Sequence, residues 1–147
     1  MVDAKLTHEE QMMARAINNA TKARPRCMPN PWVGAVLVSS DGRVFDGFTQ
    51  EFGGEHAETV CLNEAGKKAQ GATLFVTLEP CSHIGKTGPC VERIIESRIR
   101  RVVIGMKDPD HQVYGEGIKS LQNAGIDVVV GVLEALVSDQ LAPYVHH

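Results

Sequence analysis

Several features are scarce in this chain of 147 residues. Aromatic residues make up 5%, with Trp32 as the single tryptophan, which is too few for the stacking surfaces that bind single-stranded nucleic acids. Positive charge is not in excess, because the chain has 15 Lys and Arg residues and 18 Asp and Glu residues. It therefore lacks the excess of basic residues that is typical of nucleic-acid-binding proteins. No apolar run approaches the roughly 18 residues that span a bilayer, and the polar start has no signal-peptide centre. The sequence therefore predicts one cytoplasmic domain over residues 1–147 that binds neither nucleic acid nor membrane.

The chain does contain four cysteines and six histidines. In a protein without a secretion signal, metal ligation or catalysis explains cysteines better than disulfides do. Cys61 falls on the apolar stripe of a predicted helix and is expected in the core, and Cys27 is expected to be a loop thiol without a role.

Hydrophobic periodicity and turn residues divide the chain into alternating helices and strands after an opening hairpin. The predicted helices are Thr7 to about Ala23, with Thr7 and Glu10 as a capping box, then His56–Lys68, Cys90–Ser97, Gly115–Ala124 and a last one from Glu134. The predicted strands are Val33–Val38, Arg43–Phe48, Thr73–Leu78, Arg101–Gly105 and Asp127–Val130. This order predicts the α/β class: a three-layer α/β/α arrangement around a mixed, largely parallel, five-stranded sheet.

Two groups of chemically active residues lie where ligands usually bind in such sheets, beyond the carboxyl ends of strands. His56 and Glu58 open a helix, whereas Cys81 follows a strand and Cys90 comes nine positions later. One imidazole and two thiolates form a three-ligand set for Zn²⁺ that leaves the fourth tetrahedral position to water. Zinc lowers the pKa of that water toward about 7, and a carboxylate such as Glu58 can then accept its proton and pass it on.

Each part of this pattern is weak alone, but the joint order is close to the H-x-E and P-C-x-x-C signature of zinc deaminases. Here eight residues separate the two cysteines instead of two. With that longer loop, the pattern resembles the pyrimidine deaminases of the riboflavin pathway. The stretches that carry the resemblance are Pro29–Val38, Glu55–Glu58, Val76–Cys90, Lys107–Asp110 and Gly115–Ile118.

The resemblance implies a cytidine deaminase-like fold and a homo-oligomer. It implies that water replaces the ring amino group of a diamino-hydroxy-phosphoribosylamino-pyrimidine, with release of ammonia. By motif position, His56, Cys81 and Cys90 are the implied zinc ligands and Glu58 is the implied proton shuttle. The implied contacts to this phosphorylated small molecule are Asn30, His83 and Lys86. No reductase domain is expected, although many bacterial relatives carry one in the same chain.

Alternatives remain open at this stage. Thr49 stands where some relatives carry a histidine, and Gly88 stands where many carry a proline, a change that could loosen the loop. Thr49 and the missing reductase motivate the second hypothesis, a paralogue acting on another aminopyrimidine, nucleoside or nucleotide. A zinc-stabilised binding module is the third, with His83 as a fourth ligand. Glu79 is either a second acid near the zinc or a hydrogen-bonding group at the strand end, and Asp108 has the same ambiguity.

Overall fold

The computed structural model describes residues 5–23, 31–50, 54–81, 90–109 and 115–145. Within these ranges the helices are α1 His8–Ala20, α2 Ala57–Ala65, α3 Cys90–Glu96, α4 Glu116–Asn123 and α5 Glu134–Val145. The strands are β1 Gly34–Val38, β2 Val44–Phe48, β3 Thr73–Leu78, β4 Arg101–Met106 and β5 Asp127–Val130. Among the described helices, none has the length and apolar character needed to cross a membrane.

The strands form one mixed sheet in the order β2-β1-β3-β4-β5. β1 is antiparallel to both of its neighbours, whereas β3, β4 and β5 are parallel to one another. β1 therefore runs opposite to the other four strands, and its amino end meets their carboxyl ends at one edge. The predicted α/β class with a mixed five-stranded sheet is confirmed.

Different helices cover the two faces of the sheet, and the side chains that alternate along β1 contact them in turn. Val36 of β1 packs with Met13 and Ala16 of α1, whereas Ala35 and Leu37 of the same strand pack in the cluster that includes α2. Successive residues of a strand point to opposite faces, so α1 and α2 lie on opposite sides of β1. This is the predicted three-layer arrangement.

Glycines allow these helices to lie directly on the strands. A Cβ at Gly34 would overlap the carbonyl oxygen of Ala16 in α1, and a Cβ at Gly47 of β2 would overlap the carbonyl oxygen of Ala57 in α2. The second contact holds the first turn of α2 against the sheet close to the end of β2. It therefore fixes where residues 56 to 58 lie.

Two helix ends differ from the prediction. The capping box is confirmed, since Thr7 Oγ1 accepts from the N–H of Glu10 at 3.1 Å and Glu10 Oε1 accepts from the N–H of Thr7 at 2.9 Å. However, α1 ends at Ala20 rather than near Ala23, and α2 ends at Ala65 rather than Lys68. Gly66 has a φ of 56°, which ends the α-helix, and the chain continues as a 3-10 turn over Gly66–Ala69.

Candidate active site and metal centre

Three potential metal ligands meet at the carboxyl edge of the sheet. His56 caps the start of α2, Cys81 follows β3, and Cys90 is the first residue of α3. His56 Nδ1 lies 3.0 Å from Cys90 Sγ and 3.8 Å from Cys81 Sγ, and the three ligand atoms all lie within 4.8 Å of one another. Three elements that are distant in sequence thus bring one nitrogen and two sulfurs together.

The donor set fits Zn²⁺ in both chemistry and spacing. Zinc sits about 2.3 Å from thiolate sulfur and about 2.0 to 2.1 Å from imidazole nitrogen, so a tetrahedral N···S edge is roughly 3.6 Å. The two observed N···S separations, 3.0 and 3.8 Å, lie on either side of this value. Among the described residues, this is the one group of three or more His, Cys, Asp or Glu side chains that could hold a metal ion.

Hydrogen bonds to the Cys81 sulfur favour its thiolate form. Hydrogen bonds with the Cys90 thiol, the His56 ring and the backbone N–H of Cys90 lower the pKa of Cys81 well below its ordinary value. The same thiol hydrogen bond, together with burial, raises the pKa of Cys90 above its ordinary value. A hydrogen bond with Cys81 raises the pKa of His56, against the effect of burial. One anionic sulfur is therefore already favoured, and a thiolate is the form of cysteine that binds metals.

Glu58 lies in the first turn of α2, and its side chain is buried, with 4% of its surface exposed. Burial raises the pKa of its carboxyl group to about 7, while the charge of His56 acts in the opposite direction. The charge of Glu58 in turn raises the pKa of His56 and of Cys90. A buried carboxyl group with a pKa near neutrality can both accept and donate a proton.

One neighbour of the group was not predicted from the sequence. Thr59 Oγ1 lies 4.0 Å from Cys90 Sγ, and its hydrogen bond counteracts the rise in the pKa of Cys90. Thr59 follows His56 by three positions, and residues three apart lie on the same face of a helix. That spacing is the signal by which Thr59 could have been found.

Glu79 lies outside the three-ligand group and has the structural role that was one of its two predicted alternatives. Its carboxylate accepts hydrogen bonds from backbone N–H groups, including that of Asp108 at 3.1 Å. Asp108 therefore contributes its backbone to this contact.

The three residues predicted to contact the substrate are not among those that the structure describes. Asn30, His83 and Lys86 lie outside the described residues, as does Cys27. Thr49 is 5% exposed, and its Oγ1 accepts from the N–H of Val33 at 3.0 Å, so this hydroxyl ties the end of β2 to the residue before β1.

One further cysteine among the described residues, Cys61, does not belong to the three-ligand group. Cys61 is fully buried in the hydrophobic core, as predicted, and burial raises its pKa.

The chain is similar to known proteins of riboflavin biosynthesis. It is 47% identical over 126 residues to the riboflavin biosynthesis protein RibD of Aquifex aeolicus (strain VF5). The aligned region covers 86% of this chain and 35% of that protein. It is 47% identical over 135 residues to the chloroplastic riboflavin biosynthesis protein PYRD of Zea mays, covering 91% of this chain and 34% of that protein. The chain thus spans about a third of the length of these curated relatives.

A solved structure from Thermotoga maritima has the same fold. It is a diaminohydroxyphosphoribosylaminopyrimidine deaminase/5-amino-6-(5-phosphoribosylamino)uracil reductase, 47% identical, with a TM-score of 0.86 over 93% of this chain and 40% of that one. The resemblance stated from the sequence and its implied cytidine deaminase-like fold are confirmed.

The family described as the cytidine and deoxycytidylate deaminase zinc-binding region matches residues 6–106. That match includes His56, Glu58, Cys81 and Cys90. With the His/Cys/Cys group found in the structure, it confirms the prediction of Zn²⁺ as the cofactor. The chain belongs to this family of zinc-binding deaminases.

Proposed function

We propose that this chain is a zinc-dependent hydrolytic deaminase of the diamino-hydroxy-phosphoribosylamino-pyrimidine of riboflavin biosynthesis. The proposal rests on one observation: the ligand atoms of His56, Cys81 and Cys90 lie within 4.8 Å of one another, and the buried Glu58 follows His56 by two positions in the first turn of α2. That arrangement is suited to a hydrolytic reaction in which water replaces a ring amino group and ammonia leaves.

In this proposal His56, Cys81 and Cys90 hold the zinc, which supplies Lewis acidity that brings the pKa of water toward about 7. Glu58 is the catalytic residue that moves protons. Its carboxylate accepts one proton from water and passes it to a ring nitrogen of the pyrimidine while the oxygen bonds to the ring carbon. It then takes the second proton from that hydroxyl group and gives it to the amino group, so that the C–N bond breaks, ammonia leaves and the carbonyl forms. Burial raises the pKa of this carboxyl group from its ordinary value, which suits the role, because a group that both accepts and donates works best when its pKa is near the working pH.

Its relatives support the choice of substrate. RibD of Aquifex aeolicus is named for riboflavin biosynthesis, and the Thermotoga maritima protein is named as a deaminase and a reductase. The zinc-binding deaminase family covers residues 6–106 of this chain. This match favours the deaminase activity over the reductase activity. Asn30, His83 and Lys86 are the proposed substrate contacts, since an amide can pair with a pyrimidine edge and a histidine and lysine can meet ribose and phosphate.

The direct test is to incubate the purified chain with the freshly made pathway pyrimidine and to measure ammonia and the deaminated product. A panel of other aminopyrimidines, nucleosides and nucleotides is assayed in parallel, with Glu58→Gln as the inactive control. Ammonia from the pathway pyrimidine in preference to the panel supports the proposal. Preferred turnover of another compound would instead identify a paralogue, and no ammonia from any compound would contradict the enzyme assignment.

Two further properties belong to the proposal. We propose a homo-oligomer, on the resemblance to the riboflavin-pathway deaminases, and sedimentation at several protein concentrations tests it. A cytoplasmic location stays a prediction, and the relative from Zea mays is described as chloroplastic.

A further inference from the structure

The side chain of Glu79 is a buried acid that the proposed chemistry does not use. It lies directly after β3, two positions before Cys81, and is 4% exposed. Its Oε1 accepts hydrogen bonds from the backbone N–H groups of Asp108 at 3.1 Å and Gly115 at 3.0 Å. Its Oε2 accepts from those of Gly117 at 2.9 Å and Ile118 at 3.3 Å. Both carboxylate oxygens are thus fully occupied by the main chain.

These four hydrogen bonds join the end of β3 to two other parts of the fold. Asp108 follows β4, while Gly117 and Ile118 belong to the first turn of α4. The first N–H groups of a helix have no partner within the helix, and a carboxylate there is also favoured by the helix dipole. Glu79 therefore fixes the start of α4 against the strand end that leads to Cys81.

A second contact places α4 against the same short segment, residues 79 to 81. A Cβ at Gly117 would overlap the carbonyl oxygen of Pro80 and come within 3.3 Å of the Glu79 side chain. Pro80 is the residue between Glu79 and Cys81, so the first turn of α4 lies directly on the backbone that carries the Cys81 sulfur. Only a residue without a Cβ allows this approach.

Cys81 is also hydrogen-bonded to α3, the helix that begins at Cys90. Its carbonyl oxygen accepts from the N–H of Val91 at 3.2 Å, and its sulfur accepts from the N–H of Cys90 at 3.4 Å. The backbone at Cys81 is therefore held by α4 on its amino-terminal side and by α3 at the residue itself. A shift of Glu79 would move Cys81 relative to His56 and Cys90.

We propose that Glu79 is a positioning residue: by binding four backbone N–H groups of residues 108 to 118, it holds the Cys81 sulfur where the zinc group needs it. This inference rests on the proposed function, because it takes Cys81 as a zinc ligand. Glu79 touches neither the ligand atoms nor the proposed proton path, so its effect reaches the metal through the main chain.

The first test replaces the carboxylate by an amide of the same shape. Glu79→Gln keeps one acceptor oxygen but turns an NH₂ group toward two N–H donors, so half of the contact becomes unfavourable. Zinc is loaded into the 147-residue chain, and its release to an excess of a coloured chelator is followed well below the unfolding temperature. We expect zinc affinity to fall and release to quicken by about tenfold, at the lower end of what groups supporting metal ligands contribute. With Co²⁺ in place of zinc, the thiolate-to-metal absorption bands should shift.

A second variant reaches the same segment from the other side while leaving Glu79 intact. Gly117→Ala places a methyl group on the Pro80 carbonyl oxygen and should also quicken zinc release. Leu121→Ala is the matched control, since Leu121 is fully buried in the same helix and its truncation destabilises the fold while leaving Glu79 and Gly117 unchanged. A general loss of stability would affect all three variants, whereas lost positioning affects only the first two.

Faster release from Glu79→Gln or Gly117→Ala, with normal release from Leu121→Ala, supports the inference. If Glu79→Gln fails to fold, Gly117→Ala decides. Release at the parental rate from both variants, or equally fast release from Leu121→Ala, would overturn the positioning role while leaving the proposed deaminase intact. A parental chain that binds no zinc at all would overturn both.

Discussion

Glu58→Gln should remove activity and at the same time stabilise the folded chain. The substitution keeps the size and shape of the side chain but removes the group that gains and loses a proton. General acid–base catalysis contributes about 10²- to 10⁴-fold to a rate, so turnover should fall by about that factor. Zinc should stay bound, because Glu58 is not one of the three candidate ligands.

The stability gain follows from the raised pKa of Glu58. Burial moves it from 4.5 to about 7, so the folded state holds the proton more tightly than the unfolded state. Such a group favours folding below the unfolded pKa, and this contribution is lost as the pH rises through the folded pKa. At about 1.36 kcal/mol per pKa unit, the advantage of Gln over Glu should grow by about 2.5 kcal/mol between about pH 5 and pH 8. A bound cation favours the charged carboxylate and reduces this value, so the comparison is made with chelator present.

Urea unfolding at several pH values measures this effect. Trp32 is 5% exposed, so its fluorescence reports the loss of the core. His56 and the cysteines titrate in both proteins, and only their interaction with the Glu58 charge differs between the two. Glu64→Gln makes the same chemical change at an exposed position of α2 and should give no pH-dependent gain. Near-normal turnover of Glu58→Gln would remove Glu58 from the mechanism, and a pH-independent stability difference would refute the raised pKa.

Three further predictions concern the metal, the packing and the response to acid. Cys90→Ser should lose its zinc on dialysis, measured by metal analysis against the parental chain, and retained zinc would contradict its role as a ligand. Gly34→Ala would place a methyl group on the Ala16 carbonyl oxygen. It should lower the free energy of unfolding by about 1–3 kcal/mol or more, and an unchanged urea midpoint would contradict the close packing. Arg15 lowers the pKa of Asp46, so this pair favours folding above the unfolded pKa of Asp46 and loses its effect as the pH falls. Asp46→Asn should therefore lose less stability between about pH 5 and pH 2 than the parental chain does, as followed by acid titration of circular dichroism; an identical acid transition would contradict the lowered pKa.

The ligand group could be predicted from the sequence because each of its members lies at the end of a regular element. His56 begins a helix and Cys81 ends a strand, and the alternation of strands with helices predicts that such ends meet at one edge of the sheet. Chemistry then selects the metal, since one imidazole and two thiolates suit zinc. Each part of the pattern is weak alone, so the joint order of the motifs and its resemblance to the riboflavin-pathway deaminases completed the prediction.

The partners of Glu79 could not be predicted in the same way. They lie 29 to 39 positions away along the chain, and nothing in a short sequence window indicates which backbone N–H groups a carboxylate will meet. The place of β1 between β2 and β3 is a similar long-range property. The hairpin predicts the pairing of β1 with β2, but the pairing of β1 with β3 depends on how the whole sheet assembles.

The motifs shared with the riboflavin-pathway deaminases therefore serve two physical purposes. Residues His56 to Glu58 and the two cysteines bring reactive groups together, whereas Gly115 to Ile118 lets a helix start approach the main chain of Pro80 and bind the Glu79 carboxylate. Gly117 is explained by its close approach to Pro80 and Gly115 by its φ of 77°, and neither explanation requires a contact to substrate. A relative that keeps the ligands but places a larger residue at position 117 would have to move α4 away from Pro80. Its cysteine at position 81 would then need a different support.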